Sequence, residues 1–157
     1  MIGAGFLGDL IGVPDVIAAD MGGTTFKVGV IRGGQIGHAR EPRVDRFHSI
    51  APKIEVVSIG SGGGSIVAVD PATRLPSVGP RSAGARPGPV CPGRGGPEAT
   101  LRDAMLRIGS MNVAQLLGGS MALDRAGAEA AFAAQMADPP DMDVMDAAIA
   151  IVRIARA

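Results

Sequence analysis

Twice, at residues 16–31 and 54–70, the chain runs apolar, breaks on clustered glycines and runs apolar again: "VIAADMGGTTFKVGVI" and "IEVVSIGSGGGSIVAVD". Each apolar stretch is too short for a helix and rich in β-branched residues, so both read as strand, glycine loop, strand. A chain built this way is held to a sheet whose strand ends carry bare backbone. Val16 to Asp20 is predicted as a strand buried on both faces, because four apolar residues stand in a row. Phe26 to Ile31 is predicted as a second strand, with Val28 and Val30 on one face. Gly33-Gly34 then closes a tight hairpin.

The rest of the chain is organised by its breakers. Residues 1–12, "MIGAGFLGDLIG", form a short helix that Gly12 and Pro14 end. Residues 41–53 hold Pro42 and Pro52 and read as a surface connection. Seven prolines fall between Pro71 and Pro97 with glycines among them, a stretch expected to be disordered or held open. "PEATLRDAMLRIG", "ALDRAGAEAAFAAQMA" and "DMDVMDAAIAIVRIARA" then carry helical spacing, the last with acids in its first turn and Arg153 and Arg156 in its last. The order is a strand-rich part over 1–79, a Gly/Pro-rich open segment over 80–97 and a helical part over 98–157. Aromatic residues reach only 3%, so the core is expected to be small aliphatic groups, with methionines such as Met105, Met111, Met121, Met136, Met142 and Met145 filling gaps.

Charge and cysteine usage narrow the chemistry. Fifteen basic residues balance fifteen acidic ones, which makes no case for nucleic acid as a partner. The single cysteine, Cys91, allows neither an internal disulfide nor a cysteine-built metal cage, which suits the cytoplasm. It sits in the Gly/Pro segment without a base beside it and reads as structural. No run is long and apolar enough to span a membrane, and the N-terminus lacks a signal peptide's charged start. His38 and His48 read as surface residues.

The first glycine loop, "DMGGTTF", has a coherent chemistry. Asp20 can face a hydrated Mg²⁺, Gly22 and Gly23 let backbone N–H groups approach an anion, and Thr24 and Thr25 add hydroxyls. The same seven residues fit an ordinary Gly-Gly hairpin turn capped by Asp20 equally well. The second loop, Gly60 to Ser65, matches the dinucleotide pattern G-x-G-x-x-G only in part, and "SIVAVD" after it reads as a strand where that fold requires a helix. No G-x-x-x-x-G-K-[ST] occurs, which excludes a P-loop. Two glycine loops at strand ends together suit a clamp on a phosphate chain.

"DMGGTTF", "IGSGGGSI", "VGPRSAGARPGP", "GRGG" and "LLGGSMALD" stand here in an order that resembles the hydantoinase A/5-oxoprolinase family over nearly the whole chain. The resemblance implies an α/β fold similar to one lobe of an actin-like (ribonuclease H-like) ATPase, with a second lobe or subunit elsewhere. It implies ATP and Mg²⁺ as cofactors and a small cyclic amide as substrate, opened after phosphorylation of the amide oxygen. On this resemblance Asp20 faces Mg²⁺. Gly22, Gly23, Thr24 and Thr25 form one phosphate loop, Gly60, Gly62, Gly63, Gly64 and Ser65 a second, and Arg81, Ser82 and Gly84 line the site. Asp103 falls at the family's Thr-Asp-Ala helix start.

Several positions depart from the family pattern. Lys27 stands for an acid, Val57 for a His, Arg86 for an acid and Arg102 for a Thr, and Cys91-Pro92-Gly93 replaces "CYG". Lys27 reads either as a solvated strand residue or as a phosphate contact. Family members are much longer, so the chain is expected to be one partial domain over 1–157, an internal fragment. Two further readings stay open: a non-catalytic remnant or assembly subunit of a hydantoinase/acetone carboxylase-type complex, and a nucleotide-binding regulator. With only residues 1–12 to cover one face of the first strands, an exposed apolar patch is expected.

Overall fold

A computed structural model of the chain describes residues 1–39, 43–44, 46–48, 50–113, 119–136 and 143–156. Met142, residues 116–118 of "LLGGSMALD", Pro42 and the outer ends of two expected helices lie outside the described residues. The fold is α/β, and the chain divides into two compact units: Met1–Asp20 with Phe26–Ile59, and Met21–Thr25 with Gly60–Ala157.

The first unit opens with α1 (Ile2–Ile11), which ends where expected: Gly12 turns left-handed at φ 72° and Val13 N–H donates to Gly8 O at 2.8 Å. Strand β2 (Phe26–Arg32) is the centre of its sheet. It pairs with β1 (Val16–Met21), with β3 (Gln35–Ile36) and, at its start, with β8 (Val57–Ile59). The β2–β3 hairpin turns on Gly33 and Gly34, both at positive φ, with Arg32 opposite Gln35. Around the expected surface connection lie short pairs: β4 (His38–Ala39) with β7 (Lys53–Ile54), and β5 (Arg43–Val44) with β6 (Phe47–His48). His38 and His48 are exposed.

The expected two-sided burial of β1 is corrected. Ile17 is 73% exposed, and Ala19, Asp20 and Met21 are exposed as well. An apolar run records that a strand gains from being covered; it supplies no covering layer. In this unit Ile2, Phe6, Leu10 and Ile11 of α1 are themselves more than half exposed.

The second unit holds the core. Strand β9 (Ser65–Val69) pairs antiparallel with β10 (Pro76–Ser82), Pro76 opposite Val69 and Ser82 opposite Ser65. Seven residues of the proline-rich stretch are therefore a strand, not an open loop. The ladder slips between Val78 and Ser82, where Gly79 takes φ 66°. Helices α2 (Leu101–Arg107), α3 (Arg125–Met136) and α4 (Val144–Arg156) pack on this pair and on each other. Val67, Leu101, Phe132, Ala148 and Ile151 meet in one cluster, and Cys91, Leu106, Leu123 and Ala128 form a second. The core is thus small aliphatic as expected, around one buried ring. Met136 fills it and Met105 and Met111 pack against it.

Polar ties fix the layers. Gln135 of α3 accepts from Ala99 N–H at 2.9 Å and donates to the Val67 carbonyl, so a helix side chain secures the edge of β9. Asp124 caps α3 by accepting from Gly127 N–H at 2.8 Å, and Asp143 accepts from Met145 N–H at 3.2 Å at the start of α4. Arg153 and Arg156 close the last turn of α4, as the macrodipole favours.

Candidate functional site

The two glycine loops meet in the second unit, and they do so through backbone alone. Gly63 N–H donates to Gly22 O at 3.0 Å and Gly64 N–H to Gly23 O at 2.6 Å. The opposite edge of the run is held too. Gly63 O accepts from Arg102 N–H at 2.9 Å and Gly64 O from Ala83 N–H at 2.8 Å. The turns are closed locally by Gly22 N–H to Thr25 O, Ser65 N–H to Gly62 O, and Gly62 N–H to Ser65 Oγ. Only glycine permits this approach. A Cβ on Gly62 would stand 2.8 Å from the Gly22 and Gly23 carbonyl oxygens, and one on Gly64 2.8 Å from Gly23 O.

Gly62, Gly63 and Gly64, expected from sequence as phosphate donors, have N–H groups engaged within the chain. The N–H groups of Gly63 and Gly64 are consumed by the clasp and that of Gly62 by the Ser65 hydroxyl, and a hydrogen already directed at an acceptor is not offered to an anion. The loop at 60–65 therefore acts on the site by holding loop 22–25 in place. Gly23 and Thr24, in contrast, make no backbone N–H hydrogen bond among the described residues.

Both of those residues line a cleft of about 310 Å³. Its wall from Gly84 to Pro92 is the Gly/Pro segment, and Arg94, Arg102 and Met121 complete it. Among the described residues no acidic side chain lines it. The hydroxyls of Thr24 and Ser82 lie 3.3 Å apart, and Ser82 Oγ also accepts from Gly84 N–H at 3.2 Å, so the end of β10 is tied to the loop. Arg81 points elsewhere: its Nη2 donates to both carboxylate oxygens of Glu98, at 2.9 and 2.8 Å. Gly60 lies beside β10, its carbonyl oxygen 3.9 Å from a Cβ built on Gly79. Of the residues named from sequence, Gly22 to Thr25, Gly62 to Ser65 and Ser82 come together; Arg81 is engaged with a neighbour.

Asp20 belongs to the first unit, where it lines a separate cavity of about 180 Å³ with Lys27. One carboxylate sharing its cavity with an ammonium group is a poor dication site, since Mg²⁺ is bound through oxygens and an adjacent cation opposes it. Among the described residues no group of three or more His, Cys, Asp or Glu could hold a metal ion.

Asp103 has a structural role that the sequence reading missed. The residue is 2% exposed, and its carboxyl accepts from Thr100 N–H, Thr100 Oγ–H and Cys91 N–H, each at 2.8 Å. It thus completes the capping box of α2 and pins the loop that forms the cleft wall. Thr100-x-x-Asp103 is a readable capping signature. Cys91 O also accepts from Asp124 N–H at 2.7 Å, so this one residue is tied to the starts of α2 and α3. Burial, then the nearby Asp103 charge, push the Cys91 thiol up to about 12. Such a thiol is no nucleophile at neutral pH. Arg102 as a cleft residue was also missed, and no sequence signal places a residue of α2 over Gly63.

Comparison with known proteins gives the chain's relatives. The hydantoinase/oxoprolinase family profile matches residues 1–157. The caprolactamase subunit alpha of Pseudomonas jessenii is 42% identical over 143 residues, 91% of this chain and 20% of that one. A nucleotide-free structure of acetone carboxylase, from work on ATP-dependent acetone carboxylation, superposes with TM-score 0.79 at 37% identity, covering 94% of this chain and 21% of that one. The crystal structure of the ATP-dependent caprolactamase from Pseudomonas jessenii gives TM-score 0.76 at 40% identity, covering 96% and 22%. The chain spans about a fifth of the length of these relatives.

Proposed function

The chain belongs to the hydantoinase/oxoprolinase family, and from that premise we propose that it is part of an ATP-dependent cytoplasmic enzyme that opens cyclic amides. In this reading it is a piece of one actin-like lobe, completed by a second lobe or subunit. The observation that carries the reading is the clasp. Two glycine loops lock together and, among the described residues, leave Gly23 and Thr24 with unspent donors at the wall of a cleft that no acidic side chain lines. Donors fixed in advance bind an anion without a further ordering cost. The likeness to an ATP-dependent caprolactamase supports both the nucleotide and the cyclic-amide substrate class.

The chain's own contribution is binding and orientation. Gly23 N–H and the Thr24 hydroxyl hold phosphate oxygens, Ser82 sets the Thr24 hydroxyl through their mutual hydrogen bond, and the Gly84–Pro92 segment walls one side of the cleft. When bound, ATP supplies the phosphoryl group that opens an amide carbonyl carbon to attack by water. Asp20, which shares its cavity with Lys27, does not fit Mg²⁺ on these residues alone.

Calorimetric titration with ATP, with and without Mg²⁺, tests the reading. Saturable binding is expected, weakened about tenfold in Thr24→Val through loss of one hydrogen bond to a charged group. A folded chain that gives no binding heat would overturn it. A second reading, a non-catalytic assembly subunit, is favoured by the exposed apolar side chains of α1 and β1. It predicts no nucleotide binding and co-purification with a larger subunit.

A further inference from the structure

We infer that Arg102, assisted by Arg94, makes this cleft a receptor for a phosphoryl oxyanion, and that in this chain the guanidinium groups, rather than the glycine-run N–H groups, carry its anion affinity. The inference rests on the proposed nucleotide reading for the source of the phosphoryl group but not for the site. Four observations converge. Arg102 is half-buried, and neither it nor Arg94 makes an ion pair or side-chain hydrogen bond among the described residues. Both line the cleft that holds Gly23 and Thr24, and no Asp or Glu among the described residues lines it with them.

The third observation is positional. The Nε and Nη2 atoms of Arg102 lie 3.3 Å from a Cβ built on Gly63, so the guanidinium rests on the bare backbone of the glycine run. Its own N–H donates to Gly63 O, which anchors the residue from which that side chain springs. The clasp therefore presents Arg102 as well as loop 22–25. The fourth is that the nearest buried acid is committed. Asp103 accepts three hydrogen bonds from Thr100 and Cys91.

A partly desolvated guanidinium without a counter-charge is costly, and a bound oxyanion removes that cost. Arg presents a planar fork of donors that matches two oxygens of one phosphoryl group, which neither a threonine nor a lysine can do. Where the family resemblance expects Thr, this chain thus gains a charged donor. Arg94 is exposed and contributes less, because solvent screens it. The cleft's 310 Å³ lies at the lower end of the roughly 300–1,000 Å³ common for small-molecule sites.

The test is calorimetry with two probes, inorganic pyrophosphate and ATP, on the whole chain and on Arg102→Gln, Arg102→Lys and Arg125→Gln, each checked for unchanged circular dichroism. Arg125 sits in a surface pair with Glu129 and controls for net charge. The expected result is pyrophosphate binding that falls about tenfold or more in Arg102→Gln, recovers in part in Arg102→Lys and is unmoved in Arg125→Gln. Pyrophosphate affinity equal in wild type and Arg102→Gln would overturn the inference, as would an equal loss in Arg125→Gln. Arg102-dependent pyrophosphate binding with no added affinity for ATP would keep the inference and sink the nucleotide reading. ATP binding that ignores Arg102 would do the reverse, and a folded chain that binds neither probe would end both.

Discussion

At the scale of single residues, the side chains that decide this molecule are mostly those that cannot react. Cys91 is the sole thiol, and its backbone is tied at both ends while its sulfur is fully enclosed. A thiol whose value rises from the ordinary 9.0 to about 12 on folding favours the folded state only while it stays protonated. That contribution is complete below pH 9 and is lost as pH climbs through 12. Urea unfolding at pH 8 and at about pH 10.5 should therefore show wild type losing up to about 2 kcal/mol more than Cys91→Ala. A thiol reagent at pH 8 should label the protein only after unfolding. Equal alkaline losses, or fast labelling of the native chain, would contradict this account. The inert role of Cys91 was legible, since no base stands near it in sequence. Asp103 as its holder was not, because a pair twelve residues apart across a helix start is invisible until the loop folds back.

Among elements, α3 is the one on which the second unit turns. Phe132 is its fully buried ring in a core otherwise made of alanines, branched aliphatics and Met136, and Gln135 lies less than one turn further along. With few large neighbours to collapse into the gap, Phe132→Ala should cost about 3–5 kcal/mol in chemical denaturation. A loss under about 1 kcal/mol would mean that the aliphatic neighbours repack freely. Elements were legible where local pattern and tertiary need agree. β9 followed from "SIVAV", α4 from its apolar stripe and charged ends, and the β2–β3 turn from two adjacent glycines. β10 was hidden because prolines mark it as irregular; Pro76 and Pro80 are tolerated at a strand start and beside a slipped ladder.

For the molecule as a whole, the apolar surface of the first unit is the dominant fact. Ile2, Phe6, Leu10 and Ile17 are each about two-thirds or more exposed. An exposed patch was expected from the shortage of covering residues, though its extent was not, since a sequence does not show which layers pack together. The purified chain should bind a hydrophobic dye in its native state and self-associate with rising concentration. Phe6→Glu combined with Leu10→Lys should shift sedimentation velocity toward monomer. A dye-silent monomer at all concentrations would refute this.

The clasp at the centre of the second unit has one more consequence, for engineering and for descent. Because Gly63 and Gly64 grip Gly22 and Gly23 in a fixed pairing, lengthening either loop by one residue uncouples both bonds at once. The two segments lie some forty residues apart yet behave as one heritable part. A chimera that takes from a relative one loop of different length should keep the clasp only if it takes the other as well.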